Sequence, residues 1–177
     1  MWIYIILGVI LVLFIIFFAL YIVAKYELKA LVIRITTAEK SVDKSMKEKV
    51  DKLISINDFL NKKKCDISFN GIDELKDKDI DNFELNEELA KYDQTINELA
   101  NYNKDIEFTE DELKELDELH DINIDTLASQ KYYNANVLKY NKLIKSFPAN
   151  IIAKAKHYKV KDIYSSKKEE IFEILKK

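Results

Sequence analysis

Gly8, Gly71 and Pro148 are the only glycines and the only proline in 177 residues. A sheet needs tight turns at short intervals, and tight turns draw heavily on those two residue types. So few of them means few connections, and long helices are expected. Positions 24–60 contain none. Apolar residues fall there at Leu28, Leu31, Ile35, Ala38, Val42, Met46, Val50, Leu53, Ile56 and Leu60, in steps of three and four. That spacing lays one apolar stripe along an α-helix, as in a coiled-coil seam. A single helix over 25–60 would extend about 54 Å at about 1.5 Å per residue.

Residues 2–24, WIYIILGVILVLFIIFFALYIVA, carry no charge. A helix of these 23 residues spans roughly 34 Å, enough for the hydrocarbon core of a bilayer. A cleaved signal peptide would have an apolar run of about 7–15 residues between a basic start and a small-x-small site. Here the run is longer, no Lys or Arg precedes it, and IVAK is a poor cleavage site. An uncleaved signal anchor, a transmembrane helix over 1–24, is expected. Lys25, Lys29 and Arg34 follow it. The positive-inside rule then places the N-terminus outside and residues 25–177 in the cytoplasm. Trp2 and Tyr4 at one end, with Tyr21 and Tyr26 at the other, suit the two membrane interfaces.

Residues 61–79 break the helical pattern, and Asn70-Gly71 marks a turn. A second stripe, Leu85, Leu89, Tyr92, Ile96, Leu99, Tyr102 and Ile106, predicts a helix over 82–104. Thr109 followed by Glu112 forms a capping box that starts a third helix. No breaker follows until Phe147-Pro148, so that helix is expected to run about 38 residues. Pro148 fits the first position of a short helix over 149–158. Ser166 and Glu169 form one more capping box near the end. The expected fold class is all-α. An N-terminal transmembrane helix continues into a long antiparallel three- to four-helix bundle over 25–164, and 165–177 form a tail or short helix.

Charge is segregated along the chain. Residues 25–64 hold 11 basic and 6 acidic side chains, 65–125 hold 5 and 21, and 126–177 hold 12 and 4. An acidic middle between basic flanks suits helices that pair within the chain. The alternative is a basic partner or a divalent cation on the acidic face. The pattern also argues against nucleic acid as a ligand.

Catalytic signatures are missing from the sequence. Two glycines cannot build a phosphate-binding loop, and a single arginine, Arg34, offers no cluster of bidentate clamps. His120 lies among Asp117, Glu118 and Asp121, which reads as a solvated helix face rather than a metal site. Glu87-Glu88 and Glu110-Asp111-Glu112 lack the apolar enclosure that would tune a general acid. Cys65 is alone, so no intramolecular disulfide forms. No catalytic residue, cofactor, metal or small-molecule substrate is expected.

One stretch stands apart, YYNANVLKYNKLIKSFPANIIA at 132–153. Tyr133, Tyr140 and Phe147 share one heptad position, Val137 and Ile144 another, and Asn134 and Asn141 fall at the edge of the stripe. Polar residues beside a seam cost stability and fix register, because each needs a partner at one height. The core of this helix is expected to be Tyr133, Val137, Tyr140, Ile144 and Phe147. A Tyr/Asn surface that binds a peptide or another subunit is the functional alternative.

The same stretch resembles the signature of the bacterial LemA family, a YN-x5-YN repeat on the third helix followed by FP and a small-apolar helix. The apolar start running into ELKALVIRITTAEKSVDKSMKEKVDKL is similar to the family's first helix. YNKDIEFTEDELKEL looks like its entry into the third. The first helix departs from the family in lacking a basic, proline-containing stretch, and residues 61–81 look shortened. Tyr133, Asn134, Tyr140, Asn141, Phe147 and Pro148 match by residue and are the candidate motif and interaction residues. The resemblance implies a bundle anchored in the bacterial inner membrane and transfers no catalytic residue. The expected role is a non-catalytic scaffold or protein-interaction module, with the bilayer and a protein partner or a second copy as contacts. A regulatory accessory subunit of a membrane enzyme is the alternative, and a metal-dependent or hydrolytic enzyme a third reading.

Overall fold

The computed structural model describes residues 2–63, 68–78, 80–102 and 108–164, with the backbone alone for 77, 93, 94 and 98–102. Five helices follow in order: α1 Trp2–Lys62, α2 Ile72–Asp77, α3 Asn82–Tyr102, α4 Glu110–Leu143 and α5 Ala149–Ala155. No strand occurs among the described residues. The chain is all-α. It divides into two compact units, one formed by 1–37 with 132–177 and the other by 38–131.

The stripe anticipated along α1 is buried at all ten positions from Leu28 to Leu60. The segment before it is the reverse. Trp2 is 80% exposed, and most large apolar residues from there to Val23 are more than half exposed. Among the described residues α1 is the one helix long and apolar enough to cross a membrane.

In the unit of 38–131, which we call the acidic unit, α1 and α4 run antiparallel. Ser41 meets Ser129, Lys49 meets Asn123, Lys52 meets Glu115 and Glu118, and Lys63 meets Glu112. Lys52 of α1 and Lys63 just beyond its end thus pair with glutamates in the acidic half of α4, as internal charge complementarity requires. Phe69, Ile72 and Leu75 are buried, which gives the six-residue helix α2 its place in what spacing alone reads as loop. The turn before it needs glycine. Gly71 has φ of 80°, whereas a Cβ there would only touch the Tyr92 hydroxyl at 3.7 Å, so the requirement lies in the backbone. In α3, Leu85 and Leu89 are buried and Tyr92 and Ile96 half-buried. The side chains of Leu99 and Tyr102, and all of Ile106, lie outside the described residues, as do Cys65, Ser166 and Glu169.

α4 starts where the capping box places it. The Thr109 N–H donates to Glu112 Oε2 at 2.8 Å, and the Glu112 N–H donates to Thr109 Oγ1 at 3.3 Å. Its end is a correction. The helix closes at Leu143, four residues short of Phe147. Pro148 has no N–H for the Ile144 carbonyl, so the ladder cannot continue. The chain tightens instead, with Lys145 and Ser146 N–H groups donating three residues back to Lys142 and Leu143. The Ser146 hydroxyl also takes the Leu143 carbonyl, at 2.8 Å.

α5 is shorter than the 149–158 expected, and Pro148 precedes it as the capping residue instead of opening it. The Phe147-Pro148 bond is cis. The early stop has a backbone cause. His157 adopts φ of 54°, its N–H donates to the Lys154 carbonyl at 3.2 Å, and the Tyr158 N–H donates to the Ala153 carbonyl at 2.9 Å. That pair of bonds is a Schellman ending with His157 in the left-handed position. Residues 158–164 then continue without regular structure.

Candidate functional site

The Tyr-Asn repeat lies on the last turns of α4. Tyr133 and Tyr140 are 2% and 3% exposed, and Asn134 and Asn141 are half-buried. Each asparagine grips the backbone of the segment after α5. Asn134 Nδ2 donates to the Tyr164 carbonyl at 2.8 Å, and the Tyr164 N–H donates back to Oδ1 at 2.8 Å. Asn141 repeats the arrangement with Lys161, at 2.8 and 3.0 Å. The two amides therefore act as two peptide groups lent to the strap.

The spacing explains why the repeat is seven. Seven residues of helix advance about 10.5 Å. Three residues of extended chain, from position 161 to 164, advance about 10 Å. The two periods coincide, so a helix with Asn at i and i+7 can hold an antiparallel strap at j+3 and j. The tyrosines add rings to the same clamp. Tyr133 meets Tyr164 edge-on with centroids 5.0 Å apart, and Tyr140 meets Tyr158 at 6.1 Å. Burial pushes the Tyr140 phenol above its ordinary pKa, with a smaller contribution from Tyr158. All four positions engage the strap, through amides at 134 and 141 and through rings at 133 and 140.

Phe147 does not join them. Heptad spacing groups it with the core, yet it is 65% exposed. α4 has already ended, so position 147 no longer follows the helical face. Its ring lies 5.6 Å from that of Phe17, in the uncharged part of α1. Pro148 beside it is buried.

A second constellation, in the acidic unit, was not singled out by sequence. Lys49, Asn86, Asn123, Thr126 and Gln130 line a cavity of about 40 Å³. Lys49 is 5% exposed and donates to Asn123 Oδ1 at 2.9 Å, and Gln130 Nε2 donates to Asn86 Oδ1 at 2.6 Å. The volume suits a water molecule rather than a substrate. Its signal was present in the spacing. Lys49 is three residues after Met46 and next to Val50, so helical spacing puts it at the border of the buried stripe.

Next to it, Lys52 bridges Glu115 and Glu118 at 2.8 and 2.7 Å. Burial opposes the Lys52 charge, but the hydrogen bonds to Glu115 and Glu118 outweigh it and raise the pKa. The hydrogen bond from Lys52, then its charge, holds Glu118 below the usual carboxylate range. Glu112 is lowered mainly by the Thr109 N–H, with help from Lys63. His120 is exposed. No group of three or more His, Cys, Asp or Glu among the described residues is placed to hold a metal ion.

Comparison with known proteins agrees with the motif. The LemA family model matches residues 81–174, a span that contains the whole Tyr-Asn clamp. No curated protein and no solved structure matches the chain.

Proposed function

Because the chain belongs to the LemA family, we propose that it is a single-pass protein of the bacterial inner membrane, and that its helical body is a non-catalytic scaffold or interaction module. The carrying observation is the continuity of α1. One 61-residue helix is both the exposed apolar segment and a wall of the packed core. Whatever docks on the body is thereby fixed to the membrane through an unbroken element. In this reading residues 25–177 lie in the cytoplasm, with Lys25, Lys29 and Arg34 at the membrane exit. The clamp supports a structural role for Asn134 and Asn141, since both amides are engaged by the chain's own backbone. Docking then falls to other surfaces. The acidic unit, with 26 acidic and 14 basic residues, suits a basic partner. That same surface would serve the second reading, an accessory subunit that regulates a membrane enzyme.

Two measurements test this. Cysteine at exposed Ser55, in a Cys65→Ser background, should resist an impermeant maleimide in intact cells and label after permeabilisation. Labelling in intact cells would reverse the orientation. Photo-crosslinkers at exposed Asp117, Asp121 and Asp125 should give discrete adducts with one partner or a second copy. Absence of any adduct would count against a docking role for this face.

A further inference from the structure

The turn between α4 and α5 carries a feature that the anchor and the clamp leave unused. Phe147 is 65% exposed and sits against Phe17, with ring centroids 5.6 Å apart. Phe17 lies eight residues before Lys25, the first charged residue of α1. Along a helix that is about 12 Å inside the uncharged segment. A turn that touches α1 at this height is level with the bilayer, not with the cytoplasm. Ile151, four residues on, is also exposed, at 45%.

Charge around the turn is mostly positive. Lys142, Lys145, Lys154 and Lys156 are all exposed. Between 132 and 164 there are seven lysines and a single acidic residue, Asp162. The unit that contains the apolar segment has 14 basic and 5 acidic residues, whereas the acidic unit is net negative. Basic residues gathered beside an apolar wedge meet the two needs of a membrane surface, an insertion for the acyl boundary and ammonium groups for lipid phosphates. Lysine stems are long enough for the ammonium to reach the headgroups while the wedge stays below them.

We propose that this turn is a second, peripheral lipid contact. Phe147 inserts beside the anchor, and the surrounding lysines, Lys142 and Lys145 foremost, bind the phosphates of anionic phospholipids. The contact holds the C-terminal half of α4 against the membrane and gives the protein a preference for anionic lipid that a bare apolar helix lacks. The inference rests on the anchor reading, and the test separates the two.

The full chain is placed in nanodiscs with and without phosphatidylglycerol, with Trp2 replaced by Phe so that one reporter tryptophan remains. Phe147→Trp, Ile10→Trp and Ser55→Trp are made separately, and quenching by shallow and deep doxyl-labelled lipids is read. Phe147→Trp should be quenched several-fold more than Ser55→Trp, and Ile10→Trp should also be strongly quenched. No quenching at 147 with strong quenching at 10 overturns the proposal and leaves the anchor standing. No quenching at either overturns both. Phosphatidylglycerol should deepen quenching at 147, and Lys142→Gln with Lys145→Gln should abolish that gain. Equal quenching in both lipids would overturn the headgroup assignment. Phe147 is exposed, so the tryptophan reporter leaves the core intact.

Discussion

Asn134 and Asn141 each offer a donor and an acceptor, and a backbone peptide unit consumes both. Each amide makes two hydrogen bonds, at a net value of about 1 kcal/mol apiece. Asn134→Leu should therefore weaken the local hold on Tyr164 by about 2 kcal/mol, and Asn141→Leu the hold on Lys161 by a similar amount. Amide hydrogen exchange at those two N–H groups should accelerate roughly thirty-fold, with α1 protection unchanged. Unchanged exchange at position 164 in the Asn134 variant would mean that the Tyr133–Tyr164 contact holds the strap alone. The asparagine repeat was legible in the sequence, and so was the need of each for a partner at one height. The partner was not. Residues 158–164 have neither helical nor strand periodicity, and no local rule predicts which backbone an asparagine twenty or thirty residues upstream will hold. Phe147 failed for the complementary reason. Heptad arithmetic extends a face only as far as the helix lasts.

At the level of elements, starts were easier to read than ends. The start of α4 is written in two residues whose side chains complete each other's hydrogen bonds locally. Thr109→Ala should cost about 1 kcal/mol and fray the first turn of α4. A thermal unfolding curve with no change would show that Lys63 and Glu112 hold that end without the cap. The stripe of α1 was also legible, because ten apolar residues at helical spacing leave one face to bury. The end of α5 was not, since its left-handed residue is a histidine where glycine or asparagine is the usual signal. Left-handed geometry costs a side-chain residue roughly 1 kcal/mol relative to glycine. His157→Gly should thus raise stability by about 0.5–1 kcal/mol without moving the strap. If the substitution destabilises the protein instead, the imidazole has a role that its backbone geometry does not explain. Helix α2 escaped the sequence reading because six residues give no periodicity, and its burial comes from Phe69, Ile72 and Leu75 acting together.

Across the molecule, the segregation of charge read from sequence has become a division between two units, one with 14 basic and 5 acidic residues and the other with 14 and 26. In the acidic unit Lys52 of α1 and Lys63 just after it pair with glutamates of α4, so part of its stability should follow the charge of those carboxylates. Glu118 and Glu112 are held below their ordinary pKa. Their contribution is fully present above the unfolded carboxylate range and fades as pH falls through the lower folded values. Lys52 is shifted the other way, so its share is present below the ordinary lysine range and fades as pH rises through its raised value. Between the two limits the contribution is flat. Lys52→Met keeps the length of the side chain and removes the charge. It should lower the melting temperature of the full chain in detergent at about pH 7, and the deficit should shrink as pH falls through the lowered folded value of Glu118. Added salt at neutral pH should narrow the same gap, because the pair is partly exposed. A deficit that stays constant from neutral to acid pH would assign the loss to packing of the lysine stem, and the two glutamates would then be held in place by the helix alone.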